Sequence, residues 1–205
     1  QEGCYYSKYE ARDLLKTFVK KFKGSDLDKK GVKVSMFESG SMEGDDSSCA
    51  AYMDCILGRG PKYVFKNAKL RKYFKEVSMH SYWSGADTKK NAENYFSDKY
   101  SKYSVAATEY CQMTDDKNTG VYDLIAKEKN GTNGTSIKYG VAMANTIVDD
   151  LTIMNANEWD WWTACSYGTY TDGLIYLDED NHENLVFQRD ITASAIFQNS
   201  LKRVR

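Results

Sequence analysis

Two stretches decide the fold of this chain: Val77-Ser-Met-His-Ser-Tyr-Trp83 and Val105-Ala-Ala-Thr-Glu-Tyr-Cys-Gln112. Each is a short, mainly apolar run that predicts a strand, and the pattern of residues 88–102 between them predicts a helix. A strand, a helix and a second strand in this order are typical of a βαβ unit, in which the two strands are parallel. The polar residues that end these strands are therefore expected at one edge of a sheet.

Those strand ends carry residues that can do chemistry. The first strand ends in His80 and Tyr82, and the second ends in a single carboxylate, Glu109. A carboxylate beside an imidazole and an aromatic ring suits cleavage of a glycosidic bond, because the carboxylate can attack or stabilise the anomeric carbon while aromatic rings stack on the sugar. The residues alone leave another interpretation open, in which Glu109 is a buried structural carboxylate and His80 a core histidine.

The rest of the chain repeats the pattern of strand followed by helix. Residues 32–40 predict a strand that closes on Glu38, and residues 158–163 predict a strand rich in tryptophan. Further helices are predicted after the capping box of Ser7 and Glu10, near 52–57, near 70–74, after Ser136 and over 189–202. Asp172-Gly173 resembles a hairpin turn.

Four strand–helix units predict an α/β fold with a parallel sheet covered by helices. Functional side chains at the carboxyl ends of several strands are typical of (β/α)8 barrels, the TIM-barrel type. Four units make only half of such a barrel.

Composition narrows the possible partners. At 205 residues the chain suits one domain, and 28 basic against 29 acidic residues leave no basic excess for nucleic acid. No apolar run approaches the roughly 20 residues of a membrane span.

Zinc is not expected, because the chain has two histidines and its five cysteines form no CxxC motif. At most two disulfides fit, and Cys49 and Cys55 are the nearest pair by sequence. Sixteen tyrosines suit a carbohydrate site and fit a tyrosine-rich surface equally well.

An ordered set of motifs resembles glycoside hydrolase family 30. These enzymes are retaining (β/α)8 barrels that include β-1,6-galactanases, β-1,6-glucanases, glucuronoxylanases and glucocerebrosidase. The resemblance is carried by four motifs and a final helix, which together span nearly the whole chain. The motifs are Gln1-Glu-Gly-Cys4, His80-Ser-Tyr-Trp83, Thr108-Glu-Tyr-Cys111 and Trp159-Asp-Trp-Trp162, and the helix ends with Lys202-Arg-Val-Arg205.

The resemblance implies a role for each candidate residue. Glu109, at the end of the seventh barrel strand, would be the nucleophile, and His80 and Tyr82 would orient that carboxylate and the sugar. Trp162 would form part of the substrate floor, and Glu38 would be a polar cleft residue at the end of the fifth strand. The implied substrate is a carbohydrate, a β-linked polysaccharide with β-1,6-galactan or β-1,6-glucan preferred. Secretion or export is implied as well, and no cofactor is.

One departure from the family pattern indicates how much of a barrel residues 1–205 contain. The family places its acid/base glutamate in an Asn-Glu-Pro motif at the end of the fourth strand, and this chain has no such motif and a single proline, Pro61. Residues 1–205 are therefore expected to hold strands five to eight, a half barrel, with the N-terminal half upstream in the same protein. The competing hypothesis is a non-catalytic half barrel that binds glycan or assembles with another half.

The tryptophan-rich segment carries two further expectations. Alternate residues of a strand point to opposite faces, so if Trp162 faces the cleft, Trp161 should pack against the helices. Glu158 and Asp160 are expected to be solvated or structural.

Overall fold

The fold consists of helices that cover a parallel sheet, followed by a small second sheet. The computed structural model describes residues 6–42, 49–57, 73–112, 137–167, 172–177 and 185–187. The helices in these ranges are α1 (Lys8–Phe22), α2 (Asp26–Lys29), α3 (Cys49–Leu57), α4 (Ala86–Tyr100) and α5 (Ile137–Thr152). The strands are β1 (Val34–Ser39), β2 (Phe74–His80), β3 (Ser104–Glu109), β4 (Ala156–Trp159), β5 (Cys165–Tyr167), β6 (Ile175–Leu177) and β7 (Leu185–Phe187).

The main sheet has four parallel strands in the order β1-β2-β3-β4. Helix α4 connects β2 to β3, and helix α5 lies between β3 and β4, so both connections match the predicted βαβ pattern. Both faces of the parallel strands are buried, since Val77 and Met79 on one face and Ser78 and Ala106 on the other are at most 1% exposed. The predicted α/β fold with a parallel sheet is confirmed.

Helix α1 begins as the sequence predicts. The Ser7 side chain accepts a hydrogen bond from the backbone N–H of Glu10, and the Glu10 carboxylate accepts one from the backbone N–H of Ser7. This reciprocal capping satisfies two N–H groups that the helix leaves without an internal partner. The buried face of the helix, Leu15, Val19 and Phe22, joins the hydrophobic core beside the sheet.

A buried ion pair ties helix α4 to helix α5. Lys89 Nζ lies 3.0 Å from Asp150 Oδ1, and both side chains are almost fully buried. The other carboxylate oxygen of Asp150 accepts hydrogen bonds from Ser81 Oγ at 2.5 Å and from Trp159 Nε1 at 2.9 Å. One carboxylate therefore joins two helices to the segment after β2 and to the end of β4.

Two predicted element boundaries are wrong. Phe74, assigned to a brief helix, begins strand β2, because its side chain packs into the core beside the sheet. The last strand of the main sheet covers 156–159 rather than 158–163. Beyond Trp159 the backbone N–H groups of Asp160 and Trp162 still donate to the carbonyls of Ala107 and Tyr110, without forming a regular strand.

One local expectation is also wrong. Strands β5 and β6, which flank Asp172-Gly173, pair in parallel, so the dipeptide is not a hairpin turn. Gly173 is needed for close packing instead, because a Cβ there would lie 2.7 Å from Ser166 Cβ. Cys55, for which the sequence left the disulfide state open, is a free thiol whose Sγ lies 3.6 Å from the carbonyl oxygen of Lys8.

Several expectations fall outside the described residues, namely the N-terminal motif 1–4, the Ser136 cap and the helix over 189–202. Among the helices that are described, none is long and apolar enough to cross a membrane.

Candidate active site

The carboxyl ends of β1, β2 and β3 bring together three of the predicted site residues. His80 Nε2 lies 3.1 Å from Glu38 Oε2, and His80 Nδ1 lies 3.5 Å from Glu109 Oε1. His80 and Glu109 are register partners across a local irregularity of the β2–β3 ladder. Such irregularities redirect side chains at strand ends, and here they turn an imidazole and two carboxylates toward each other.

Tyr82 is the second group that contacts Glu109. Its hydroxyl donates to Glu109 Oε1 at 3.1 Å and lies 3.4 Å from Cys111 Sγ. The ring is buried and stacks on Tyr110, with 5.7 Å between the ring centroids. Burial raises the pKa of Tyr82 well above its ordinary value, and the nearby Cys111 acts in the same direction. The phenol therefore stays neutral and remains a hydrogen-bond donor to the carboxylate.

Replacing Tyr82 by phenylalanine removes that donor and keeps the ring. A hydrogen bond to a charged group contributes about 1.5–3 kcal/mol, so we expect the glycoside hydrolysis that the family resemblance implies to fall by about 10- to 150-fold. The measurement is kcat/KM on a soluble β-linked oligosaccharide, with Tyr9→Phe on the exposed face of α1 as the matched control. Equal rates in the two variants would contradict a role for the Tyr82 hydroxyl.

Glu38 is held as an anion although its side chain is 55% exposed. Its Oε2 accepts a hydrogen bond from Thr108 Oγ1 at 2.6 Å and lies 3.1 Å from His80 Nε2. The hydrogen bond with His80, followed by that from Thr108, lowers the pKa of Glu38 to about 2 in spite of partial burial. Its backbone has φ +57°, in the left-handed region that non-glycine residues seldom occupy.

The lowered pKa of Glu38 predicts a particular pH dependence of stability. The unfolded chain binds this proton near pH 4.5 and the folded chain only near pH 2, so the contribution is complete above pH 4.5 and is lost as pH falls toward 2. We expect Glu38→Gln to flatten the pH dependence of the unfolding free energy in that window. Urea unfolding between these pH values measures it, with exposed Glu158→Gln as control. An unchanged slope would refute the assignment.

Thr108 and Asp160 are polar residues near the site whose contribution the sequence did not predict. Thr108 supplies the short hydrogen bond to Glu38. Burial, together with the negative charge of Glu38, raises the pKa of Asp160. Glu158 lies exposed on β4, as expected for a solvated residue. Thr108 and Asp160 both belonged to quoted motifs, Thr108-Glu-Tyr-Cys111 and Trp159-Asp-Trp-Trp162, and only their positions at or just past a strand end could have suggested that they lie near Glu38.

The tryptophans divide differently from the prediction. Trp161 packs on Tyr110 and Trp159, and its indole N–H donates to the carbonyl of Asp172. It is Trp159 whose indole reaches helix α5, at Asp150, so the expectation that Trp161 packs against the helices is wrong. The Trp162 side chain is 43% exposed. Its place in the substrate floor stays a prediction.

A parallel α/β sheet with carboxylates at its carboxyl edge suits one class of protein in particular, the glycoside hydrolases. The sequence pattern of O-glycosyl hydrolase family 30 matches residues 1–176. The chain belongs to O-glycosyl hydrolase family 30. No curated protein sequence matches it significantly.

Solved structures are similar in fold. A family 30 endoxylanase from Clostridium papyrosolvens matches with a TM-score of 0.51 and 13% identity, over 85% of this chain and 33% of that one. The catalytic domain of a family 30 xylanase C from Talaromyces cellulolyticus matches with a TM-score of 0.54 and 13% identity, over 94% and 36%. An endo-β-1,6-glucanase matches with a TM-score of 0.50 and 13% identity, over 92% and 38%. The chain thus spans about a third of the length of each.

Proposed function

We propose that this chain carries the nucleophile half of a retaining β-glycosidase, with Glu109 as the nucleophile. The observation that carries the proposal is the placing of Glu109 at the carboxyl end of β3, where Tyr82 donates to its Oε1 and His80 lies 3.5 Å away. A hydrogen bond donated to a carboxylate, such as that from Tyr82, favours its ionised form, which is the form that a nucleophile needs.

The reaction proceeds by double displacement. The Glu109 carboxylate attacks the anomeric carbon, the glycosidic C–O bond breaks, and the leaving oxygen takes a proton from the acid/base glutamate expected upstream of this chain. Water then gives a proton back to that second carboxylate and attacks the same carbon, which releases Glu109. Tyr82 and His80 keep Glu109 in place through both steps, since both lie against the same carboxylate oxygen.

The barrel assignment is part of the proposal. Strands β1 to β4 would be strands five to eight of a (β/α)8 barrel, and residues 1–205 the C-terminal half of its catalytic domain. Most of this chain aligns with about a third of each solved structure of similar fold, and this coverage supports the assignment. Strands β1 and β4 each have one free edge in the described sheet, and an N-terminal half of the same protein would cover both.

The proposed substrate is a β-linked polysaccharide, with β-1,6-galactan or β-1,6-glucan preferred. The endo-β-1,6-glucanase among the structures of similar fold supports a β-1,6 linkage, and the two xylanases make a β-linked xylan the competing choice. We also propose secretion or export, because an enzyme that acts on a polysaccharide meets its substrate outside the cell.

Covalent trapping tests the nucleophile and the substrate together. An activated 2-deoxy-2-fluoro glycoside should accumulate as an ester, because the fluorine slows both steps and the good leaving group speeds only the first. β-1,6-Galactobiosyl, β-1,6-glucobiosyl and xylobiosyl reagents would be offered to the full-length protein that carries this chain. We expect the mass of one 2-deoxy-2-fluoro disaccharide unit on the tryptic peptide 103–117, localised to Glu109 by fragmentation.

The competing outcome is equally defined. Glycan binding without any label from the three reagents, in a protein that retains its fold, would support the non-catalytic half barrel. A label on a different carboxylate would overturn the assignment of Glu109.

A further inference from the structure

The His80 imidazole lies between two carboxylates. Nε2 approaches Glu38 Oε2 at 3.1 Å and Nδ1 approaches Glu109 Oε1 at 3.5 Å, and the ring is largely buried, with 13% of the side chain exposed. Ionised carboxylates only accept hydrogen bonds. A neutral imidazole donates from one nitrogen and would turn the lone pair of the other toward an anion. A ring that carries a proton on both nitrogens presents an N–H to each of the two carboxylates.

The charges that face the ring favour this state. Glu38 comes from β1 and Glu109 from β3, and the other groups around them are the neutral phenol of Tyr82, the thiol of Cys111 beside it, and Asp160 near Glu38. Among the described residues this neighbourhood holds carboxylates on two sides of the imidazole and no lysine or arginine ion pair. A positive ring is the group that balances them.

Glu38 is fixed in the geometry that this bridge requires. Thr108 donates to its Oε2, the same oxygen that His80 Nε2 approaches, and the backbone of Glu38 has a left-handed φ of +57°. Non-glycine residues seldom occupy that region, so surrounding contacts must hold Glu38 there. An exposed carboxylate with no task would not need this conformation.

We propose that Glu38 is a positioning residue that acts through His80: it holds the ring as a doubly protonated bridge whose Nδ1–H faces Glu109. This inference rests on the proposed function for its catalytic meaning, although the bridge itself is independent of turnover. Glu38 would then act on the nucleophile without contacting the sugar, in place of the substrate-binding role that the family resemblance implied.

The consequence for catalysis is a split between rate and binding. Glu38→Gln keeps the size of the side chain and removes its charge, so His80 loses one of the two anions that hold its protons. We expect kcat to fall about 10- to 100-fold, the range of one lost charge-assisted hydrogen bond, while KM stays within about threefold. Glu158→Gln, an exposed carboxylate of the same sheet, is the matched control.

The decisive readout is the nitrogen spectrum of His80. A His80→Gln variant assigns the His80 ring signals, which are the ones that it removes, in ¹⁵N NMR of the labelled full-length protein. At about pH 7 we expect both His80 nitrogens to be protonated in the parent and in Glu158→Gln, and a single neutral tautomer in Glu38→Gln. Circular dichroism establishes that each variant is folded.

The outcomes separate the two proposals. A neutral ring in the parent, or His80 signals that Glu38→Gln leaves unchanged, would overturn the bridge whatever the activity. The expected spectra in a protein that hydrolyses no glycan would support the bridge and count only against the proposed function. Hydrolysis with equal kcat in Glu38→Gln and Glu158→Gln would overturn the positioning role alone.

Discussion

Replacing Glu109 by glutamine is expected to reduce kcat by about 10⁴-fold or more, equivalent to about 5.5 kcal/mol of transition-state stabilisation. The amide keeps the shape and the hydrogen bond from Tyr82, whose hydroxyl lies 3.1 Å from Oε1 in the parent. It lacks the negative charge that bonds to the anomeric carbon in the first displacement. Single-turnover kinetics on an activated aryl β-glycoside measure the loss of that step directly.

A smaller side chain tests the covalent role more sharply. Glu109→Ala leaves a space beside Tyr82 and His80 that azide can enter. We expect azide to restore turnover of an aryl glycoside and to give the glycosyl azide of inverted configuration, because a single displacement replaces two. Glu158→Gln should keep parental activity and be insensitive to azide. Substantial activity of Glu109→Gln without azide, or rescue that gives a retained product, would contradict the nucleophile assignment.

Much of the site could be predicted because strand ends are visible in the sequence. The apolar runs before His80 and Glu109 are short and bounded, so the parallel arrangement placed both residues at one edge. The capping box of Ser7 and Glu10 is a strictly local pattern, and it too is confirmed. What sequence patterns cannot supply is distance, and the 3.1 Å contact between His80 and Glu38 depends on register irregularities in two ladders.

The errors have equally specific causes. The alternation argument for Trp161 assumed a strand over 158–163, but β4 ends at Trp159 and the rule ends with it. Strands β5 to β7 have three residues each, too few for a period to be read, so the parallel pairing of β5 and β6 gave no signal. Asp150 could have been found, because spacings of four and three from Met143 through Ile147 place it on the buried face of α5.

That buried carboxylate supports the prediction with the largest effect on stability. Replacing Lys89 by methionine should lower the free energy of unfolding by about 3–5 kcal/mol, because it leaves the charge of Asp150 buried without its cation. The measurement is urea unfolding of the full-length protein. Lys90→Met is the matched control, since Lys90 makes only an exposed pair with Glu93, and such pairs contribute about 0–1 kcal/mol. Similar losses of unfolding free energy in both variants would contradict the expected contribution of the buried ion pair to stability.

Removing both charges should not restore the parent. In Lys89→Met with Asp150→Leu no buried charge remains, but Ser81 Oγ and Trp159 Nε1 lose the carboxylate oxygen that accepts from both. Each buried donor without an acceptor costs about 1–3 kcal/mol, so the double variant should remain clearly less stable than the parent.

Ser81 directly precedes Tyr82, and Trp159 packs on Tyr110, which stacks on Tyr82. The ion pair therefore supports the same phenol that donates to Glu109, and folded Lys89→Met should show reduced kcat where Lys90→Met does not.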